Sequence, residues 1–218
     1  MKQKYLFIAS AVLLLLAFVA GVMYYKNQQT EQAAQSVMQN REALVRFHSV
    51  TIGHADAPVH IVEFLDPACE ACRAFYPFVK NLIAANPDKI RLTVRYAPFH
   101  QGAGDVVKVL EAARKQGKYW ETLEALFASQ SGWTQHHTAQ VALVWPYLDG
   151  LGLDLPRLKT DMQAPAIARL IEQDLEDTKT LNVTMTPEFF VNGKPLPSFG
   201  YDALKKAVAD ALSRVSEK

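Results

Sequence analysis

Residues Val59–Phe75 read VHIVEFLDPACEACRAF, and the reading of this stretch decides the fold. Its opening, Val59–Leu65, is apolar on both faces apart from His60 and Glu63, the pattern of a strand covered on both sides. Its close runs into apolar residues at helical spacing: Phe75, Phe78 or Val79, Leu82 and Ile83, up to the stop at Asn86-Pro87-Asp88. The spacing predicts a helix from about Cys69 to Ala85. Pro77 removes one of its backbone hydrogen bonds, so a bend is expected near Tyr76. Both cysteines of the chain, Cys69 and Cys72, therefore fall where a strand hands over to a helix. The first turn of a helix presents unpaired N–H groups and partial positive charge, which favour a thiolate, and Cys69 is placed to become a nucleophile.

Downstream, Lys89–Tyr96 alternates strictly, with Ile90, Leu92, Val94 and Tyr96 on one side and Lys89, Arg91, Thr93 and Arg95 on the other, and reads as a second strand. From Asp105 to Leu181 the period is helical. Val106, Val109, Leu110 and Ala113 form one face, and Trp120, Leu123, Leu126 and Phe127 the next. Thr138–Leu148 is predicted as a further helix through Val141, Val144, Trp145 and Leu148. Asp154 with Pro156 caps a short one, and Ala166–Leu181 completes the block. Strand signals return at Glu188–Val191, followed by the hairpin turn Asn192-Gly193 and Lys194–Leu196. Tyr201–Val215 is an amphipathic helix through Leu204, Val208, Leu212 and Val215. The predicted class is α/β, a mixed sheet interrupted by a helical insertion at about 103–182.

Upstream, Lys2 and Lys4 precede an uncharged run from Tyr5 to Tyr25, closed by Lys26. Its length fits the ~20 residues a helix needs to cross a bilayer, so residues 1–26 read as a membrane anchor, with a cleaved signal peptide as the alternative. Two lysines before the span and one after it predict a cytoplasmic N-terminus, with Tyr24 and Tyr25 at the outer interface. The remainder would face an oxidising compartment such as the bacterial periplasm, where a disulfide persists. Asn27–Phe47 is polar and Gln-rich, with Ala33, Val37, Leu44 and Phe47 spaced loosely like one helical face, and residues 27–48 read as a solvated helical stalk; a coiled-coil dimerisation segment is the alternative, its heptad broken by Arg41. Ser49–Pro58 is a turn-rich lead-in, with the globular region taken as 49–218. Of the 218 residues half are hydrophobic and the formal net charge is +1, enough for a real core. Without a basic stripe interleaved with aromatics, nucleic acid is excluded as a partner.

Three further groups of residues stand out together: Ala57-Pro58-Val59 leading into Ile61-Val62-Glu63-Phe64, the pair Cys69-Glu70-Ala71-Cys72, and Thr186-Pro187 ahead of Phe189-Phe190-Val191-Asn192-Gly193-Lys194. On these, roughly Ile52 to Val215 resembles the DsbA-type branch of the thioredoxin superfamily. The resemblance implies a thioredoxin-like mixed sheet with an inserted helical subdomain, here preceded by one N-terminal transmembrane helix. It implies thiol–disulfide exchange with protein substrates, with Cys69 attacking, Cys72 resolving and Pro187 in a cis peptide facing the pair. Such chemistry needs no metal or organic cofactor, and calls for a membrane redox partner that reoxidises or reduces the pair. If Pro187 is cis, the Thr186 backbone is placed to pair with an extended substrate, and its hydroxyl to touch the sulfurs.

Glu63 lies six residues before Cys69, where this superfamily often keeps a buried carboxylate. Desolvated and neutral, it could relay a proton to or from Cys72; the alternative is a solvated residue at a strand end. Between the cysteines, Glu70 should oppose a thiolate at Cys69 and Ala71 offers it nothing, which predicts a milder oxidant than members carrying Pro-His there. His100, after Pro98-Phe99, is a candidate to face the site, with a surface-loop position as the favoured reading. Against redox chemistry stand half a zinc site or a static disulfide. Zinc lacks a second cysteine pair, and His136 and His137, adjacent on a helix, would point apart. A reductase or isomerase kept reduced by its membrane partner, and a module using Cys69 and Cys72 as soft copper ligands, remain as alternatives.

Overall fold

The computed structural model describes residues 2–216; Met1, at the start of the expected anchor, and Glu217 and Lys218, at the far end of the expected globular region, lie outside them. The chain begins with helix α1 (Lys2–Gln39) and a short turn of helix, α2 (Arg41–Leu44). Strands β1 (Val50–Ile52) and β2 (Val59–Leu65), helix α3 (Glu70–Ala84) and strand β3 (Ile90–Tyr96) follow. The helical block holds α4 (Ala103–Arg114), α5 (Tyr119–Ala128), α6 (Gln130–Trp133), a small hairpin of β4 (Thr134–Gln135) and β5 (Thr138–Ala139), α7 (Leu155–Asp161) and α8 (Pro165–Thr180). The hairpin β6 (Glu188–Val191) and β7 (Lys194–Pro195) and the helix α9 (Tyr201–Ser216) close the order.

The main sheet has the order β1-β3-β2-β6-β7. β2 and β3 run parallel, with Glu63 opposite Val94, and β6 lies antiparallel on the other side of β2, with Glu63 opposite Phe189. The parallel pair and the antiparallel hairpin are those expected, and Asn192 and Gly193 both take the positive φ that a two-residue hairpin turn requires. β1 was not foreseen: within the lead-in, Val50–Ile52 pairs antiparallel with β3 as the sheet's edge. Gly53, with φ of +101°, permits that edge to turn away, since a Cβ there would stand 2.5 Å from the Ile90 carbonyl oxygen.

Alternation along the strands sends residues to two cores. Val59, Ile61, Leu65, Leu92, Val94, Tyr96 and Phe189 join the large core under α3, the helical block and α9. Val62, Phe64 and Phe190 face the opposite side and form a second core with Leu181, Val183, Val37, Ala43 and Leu44. This corrects the reading of a solvated spacer for its last part, from Val37 on, while residues 27–36 are helical and carry no buried side chain. α1 runs unbroken to Gln39, and its last turns with α2 bury Val37, Ala43 and Leu44 against the sheet. The loose spacing of Val37, Leu44 and Phe47 concealed this, and Phe47 itself is fully exposed.

A second correction concerns Thr138–Leu148. Thr138 and Ala139 form β5, while Val141–Leu143 and Trp145–Leu148 are separate 3₁₀ turns. Pro146 cannot donate a helical hydrogen bond and disfavours α geometry at Trp145, so the apolar spacing is realised in tighter turns. His136 and His137 accordingly sit in the β4–β5 turn, at φ of 48° and 60°, and not on a helix. Elsewhere the block follows expectation: Asp154 caps α7 by accepting a hydrogen bond from the Arg157 N–H. Pro77 lies inside a helix that continues through it.

Among the described residues, one helix is long and apolar enough to cross a membrane; its qualifying part, Ala11–Gln39, buries none of its apolar window within the protein.

Candidate active site

Cys69 is the N-cap of α3, with extended backbone (φ −77°, ψ 122°), so its sulfur sits just ahead of the free N–H groups and not inside the first turn. Cys69 and Cys72 are both free and buried. The Cys69 thiol donates to the Thr186 carbonyl oxygen at 3.2 Å, and the Thr186–Pro187 peptide is cis, facing the pair. The Asp66 N–H points to the Cys72 sulfur at 3.5 Å.

The two thiols are driven apart. The hydrogen bond from the Cys72 thiol pulls Cys69 from 9.0 down to about 6; burial opposes it, and bonds from the Thr186 side chain and the Cys72 and Ala71 N–H groups add to it. Cys72, wholly buried, is pushed well above 9.0, first by desolvation, then by its bond to Cys69 and the proximity of Glu63. The inner cysteine is thus held as a thiol that donates to the outer one. This is the asymmetry an attacking and a resolving sulfur require.

Glu63 lies on β2 facing the large core, 1% exposed, and neither carboxylate oxygen has a hydrogen-bond partner. Burial, and secondarily the charge at Cys69, raise it from 4.5 to about 8. The solvated strand-end alternative is thereby excluded. Glu70, the first residue of α3, is exposed and turns toward His137, with Nδ1 and Oε2 3.7 Å apart, and Ala71 is partly buried beside it.

Two supporting residues went unnoticed in the sequence. Asp66, fully buried, accepts from the Ala68 N–H through Oδ1 and from the His100 N–H and Nδ1 through Oδ2, all within 2.8 Å, fixing the turn between β2 and the cysteines. Gln130, from α6, donates through Nε2 to the carbonyls of Pro67 and Cys69. The aspartate two residues before Ala68 could have been read as an Asx turn. Gln130 is distant in sequence and carries no local signal. His100 takes the less favoured of its two readings: within the loop after β3 it turns to the site rim and packs on Asp66, its side chain 22% exposed. A groove of about 210 Å³ runs beside the cis peptide, lined by Met185, Pro187, Phe189, Leu196 and Phe199. A larger one of about 960 Å³ lies at the far end, where α1 meets β7 and α9, away from the sulfurs.

The thioredoxin family model matches residues 47–210. Among curated proteins, the Na(+)/H(+) antiporter NhaA of Herminiimonas arsenicoxydans is 32% identical over 151 residues, 69% of this chain and 23% of that protein. The chain spans about a quarter of the length of the curated relatives it matches. A thioredoxin-like oxidoreductase from Silicibacter pomeroyi DSS-3 is 29% identical, with a TM-score of 0.68 over 82% of this chain and 98% of that one. The thiol-disulfide exchange protein alpha-DsbA2 of Wolbachia pipientis shares the fold at 19% identity, with a TM-score of 0.70 over 84% and 97% of the two chains. The chain belongs to the thioredoxin family, in the DsbA-type form of the fold that inserts a helical block between the parallel strand pair and the hairpin.

Proposed function

We propose that this protein is a membrane-tethered thiol–disulfide oxidoreductase acting on protein substrates through Cys69 and Cys72. The observation that carries the reading is the split between the sulfurs, one lowered to about 6 beside a helix N-terminus and the other held protonated. In the oxidising direction a substrate thiolate attacks Sγ of Cys69 in the Cys69–Cys72 disulfide, and Cys72 leaves as a thiolate. Glu63, neutral below about pH 8, supplies the proton that this buried thiolate needs. A second substrate thiolate then attacks the mixed disulfide and releases Cys69 as a thiolate, which the Cys72 and Thr186 bonds stabilise. Two electrons have passed to the enzyme, and a membrane redox partner would remove them.

The substrate would lie extended against Thr186 and Pro187, with apolar side chains on Met185 and Phe199, which are half exposed beside the groove. α1 would place the anchor in a bacterial inner membrane. With Lys2 and Lys4 before the span and Lys26 after it, the catalytic face would be periplasmic. On this reading the globular unit begins near residue 49, and residues 37–48 dock onto it.

The test is a trap. With a model disulfide peptide, Cys72→Ala in the full chain should accumulate a mixed disulfide through Cys69, whereas Cys69→Ala should not; equal trapping, or none, overturns the proposal. The reduction potential should fall between the ~−120 mV of the strongest oxidants and the ~−270 mV of thioredoxin, because Cys69 at about 6 is well above the ~3.5 of the extreme case. A value at the thioredoxin end would assign the chain as a reductase or isomerase.

A further inference from the structure

On the rim of the cysteine pair, Glu70, His100 and His137 each offer one ligand atom, and these atoms lie within 4.8 Å of one another. They come from three segments: the first turn of α3, the β3–α4 loop and the β4–β5 turn. The rings of His100 and His137 stack at 5.8 Å, and the Glu70 carboxylate stands 3.7 Å from His137 Nδ1, too far for a hydrogen bond. Zn–N and Zn–O bonds of about 2.0–2.2 Å place tetrahedral ligands about 3.3 Å apart, so small side-chain rotations bring this set onto one ion.

A second observation points the same way. The buried Asp66 carboxylate accepts from His100 Nδ1 at 2.7 Å while taking two backbone N–H bonds, so Nδ1 carries the hydrogen and Nε2 presents its lone pair. A carboxylate fixing the tautomer of a histidine in this manner is the usual outer support of a metal-bound imidazole. The segments are also tied before any ion arrives. The Ala139 N–H donates to the Gln101 carbonyl at 2.8 Å, and Gln101 bridges Thr138. Gly102 permits that approach, since a Cβ there would stand 2.2 Å from the Ala139 carbonyl oxygen.

We propose that Glu70, His100 and His137 form a binding site for a first-row divalent transition ion of the zinc class, with a fourth position open to solvent one residue from Cys69. Two imidazoles and a carboxylate suit such an ion and disfavour magnesium or calcium. The site uses neither sulfur and is independent of the direction of exchange.

Zinc is titrated into the full chain in detergent with Cys69 and Cys72 joined as the disulfide, so that no thiol can ligate. One equivalent per chain should bind, and Glu70→Gln with His137→Ala should weaken it at least 30-fold without shifting the thermal midpoint, both side chains being more than half exposed. Cobalt(II) on the same oxidised protein should give a four-coordinate spectrum lacking thiolate charge transfer. Absence of binding in the disulfide form, binding that appears only on reduction, or an unchanged affinity in the double variant would each overturn the proposal.

Discussion

Glu63 and Arg95 are ionisable side chains of neighbouring strands, both buried in the same sheet, and their surroundings are opposite. Glu63 points into the large core and has no hydrogen-bond partner. Arg95 points to the other face, fully buried, and is saturated: its guanidinium bonds Asp174 at 2.7 Å and Asp177 at 2.6 Å, donates to the Ala43 carbonyl and lies over the Phe64 ring. Asp174 in turn holds His48 at 2.6 Å and the Tyr96 N–H at 2.8 Å, and Asp177 holds Arg46. A buried charge surrounded by partners is architecture. A buried acid left without them beside two thiols costs stability, and that cost is the physical ground for proposing a chemical role for it.

The largest expected effect tests that cost. Glu63 titrates near 8 in the folded chain against 4.5 when exposed, so the unfolded state loses its proton first. Glu63's contribution to stability should therefore fall as pH rises from about 4.5 to about 8 and level off above it, and is read as the difference between wild type and Glu63→Gln, because Cys69, lowered to about 6, adds stability over part of the same range in both proteins. At ~1.4 kcal/mol per pH unit between the two values, the contribution of Glu63 has a ceiling of ~5 kcal/mol, lowered by local relaxation. Glu63→Gln should unfold at similar denaturant concentration to wild type at pH 4.5 and be several kcal/mol more stable at pH 8.5, while exchange slows by ~10². Parallel stability curves for the two proteins across that range would show that Glu63 is not a buried neutral acid.

Arg95→Leu should act in the contrary sense and at every neutral pH. It leaves two buried carboxylates short of their shared cation, a loss of ~3–5 kcal/mol in urea unfolding. Trapping of mixed disulfides by the folded fraction should persist, because none of these groups touches a sulfur. A variant that keeps its stability but loses trapping would place Arg95 with Glu63 after all.

The same contrast explains what the sequence could show. Val59–Leu65, the cysteine pair and the Asn192-Gly193 hairpin carry their meaning within a few residues, since strand period, cap and turn are local effects. Even Glu63 was visible, as an acid in an otherwise apolar strand. Arg95 was not: Lys89, Arg91, Thr93 and Arg95 alternate like a solvated face, and nothing nearby announces that Asp174 and Asp177, some 80 residues on, will cover it. Gln130, the bond of His100 to Asp66 and the buried end of α1 were hidden for the same reason, their partners being distant along the chain. At Thr138–Leu148 the local signal misled, because apolar spacing of three fits a 3₁₀ turn as well as a helix once Pro146 is present.

The smallest effect separates what holds the end of α1 to the sheet. Arg46 reaches Asp177 at 2.6 Å but its side chain is 28% exposed, and Asp177 keeps Arg95 when Arg46 is gone. Arg46→Ala should cost about 1 kcal/mol at low salt and almost nothing at 1 M, where screening shortens to about 3 Å. Leu44→Ala, which removes a side chain buried in the second core, should cost ~2–4 kcal/mol and be indifferent to salt. If the order were reversed, with Arg46 the costlier loss and salt releasing the segment, residues 37–48 would be held by charge. Packing is the stronger expectation because Val37, Ala43 and Leu44 are all at least 95% buried, while the arginine that reaches over them still touches water.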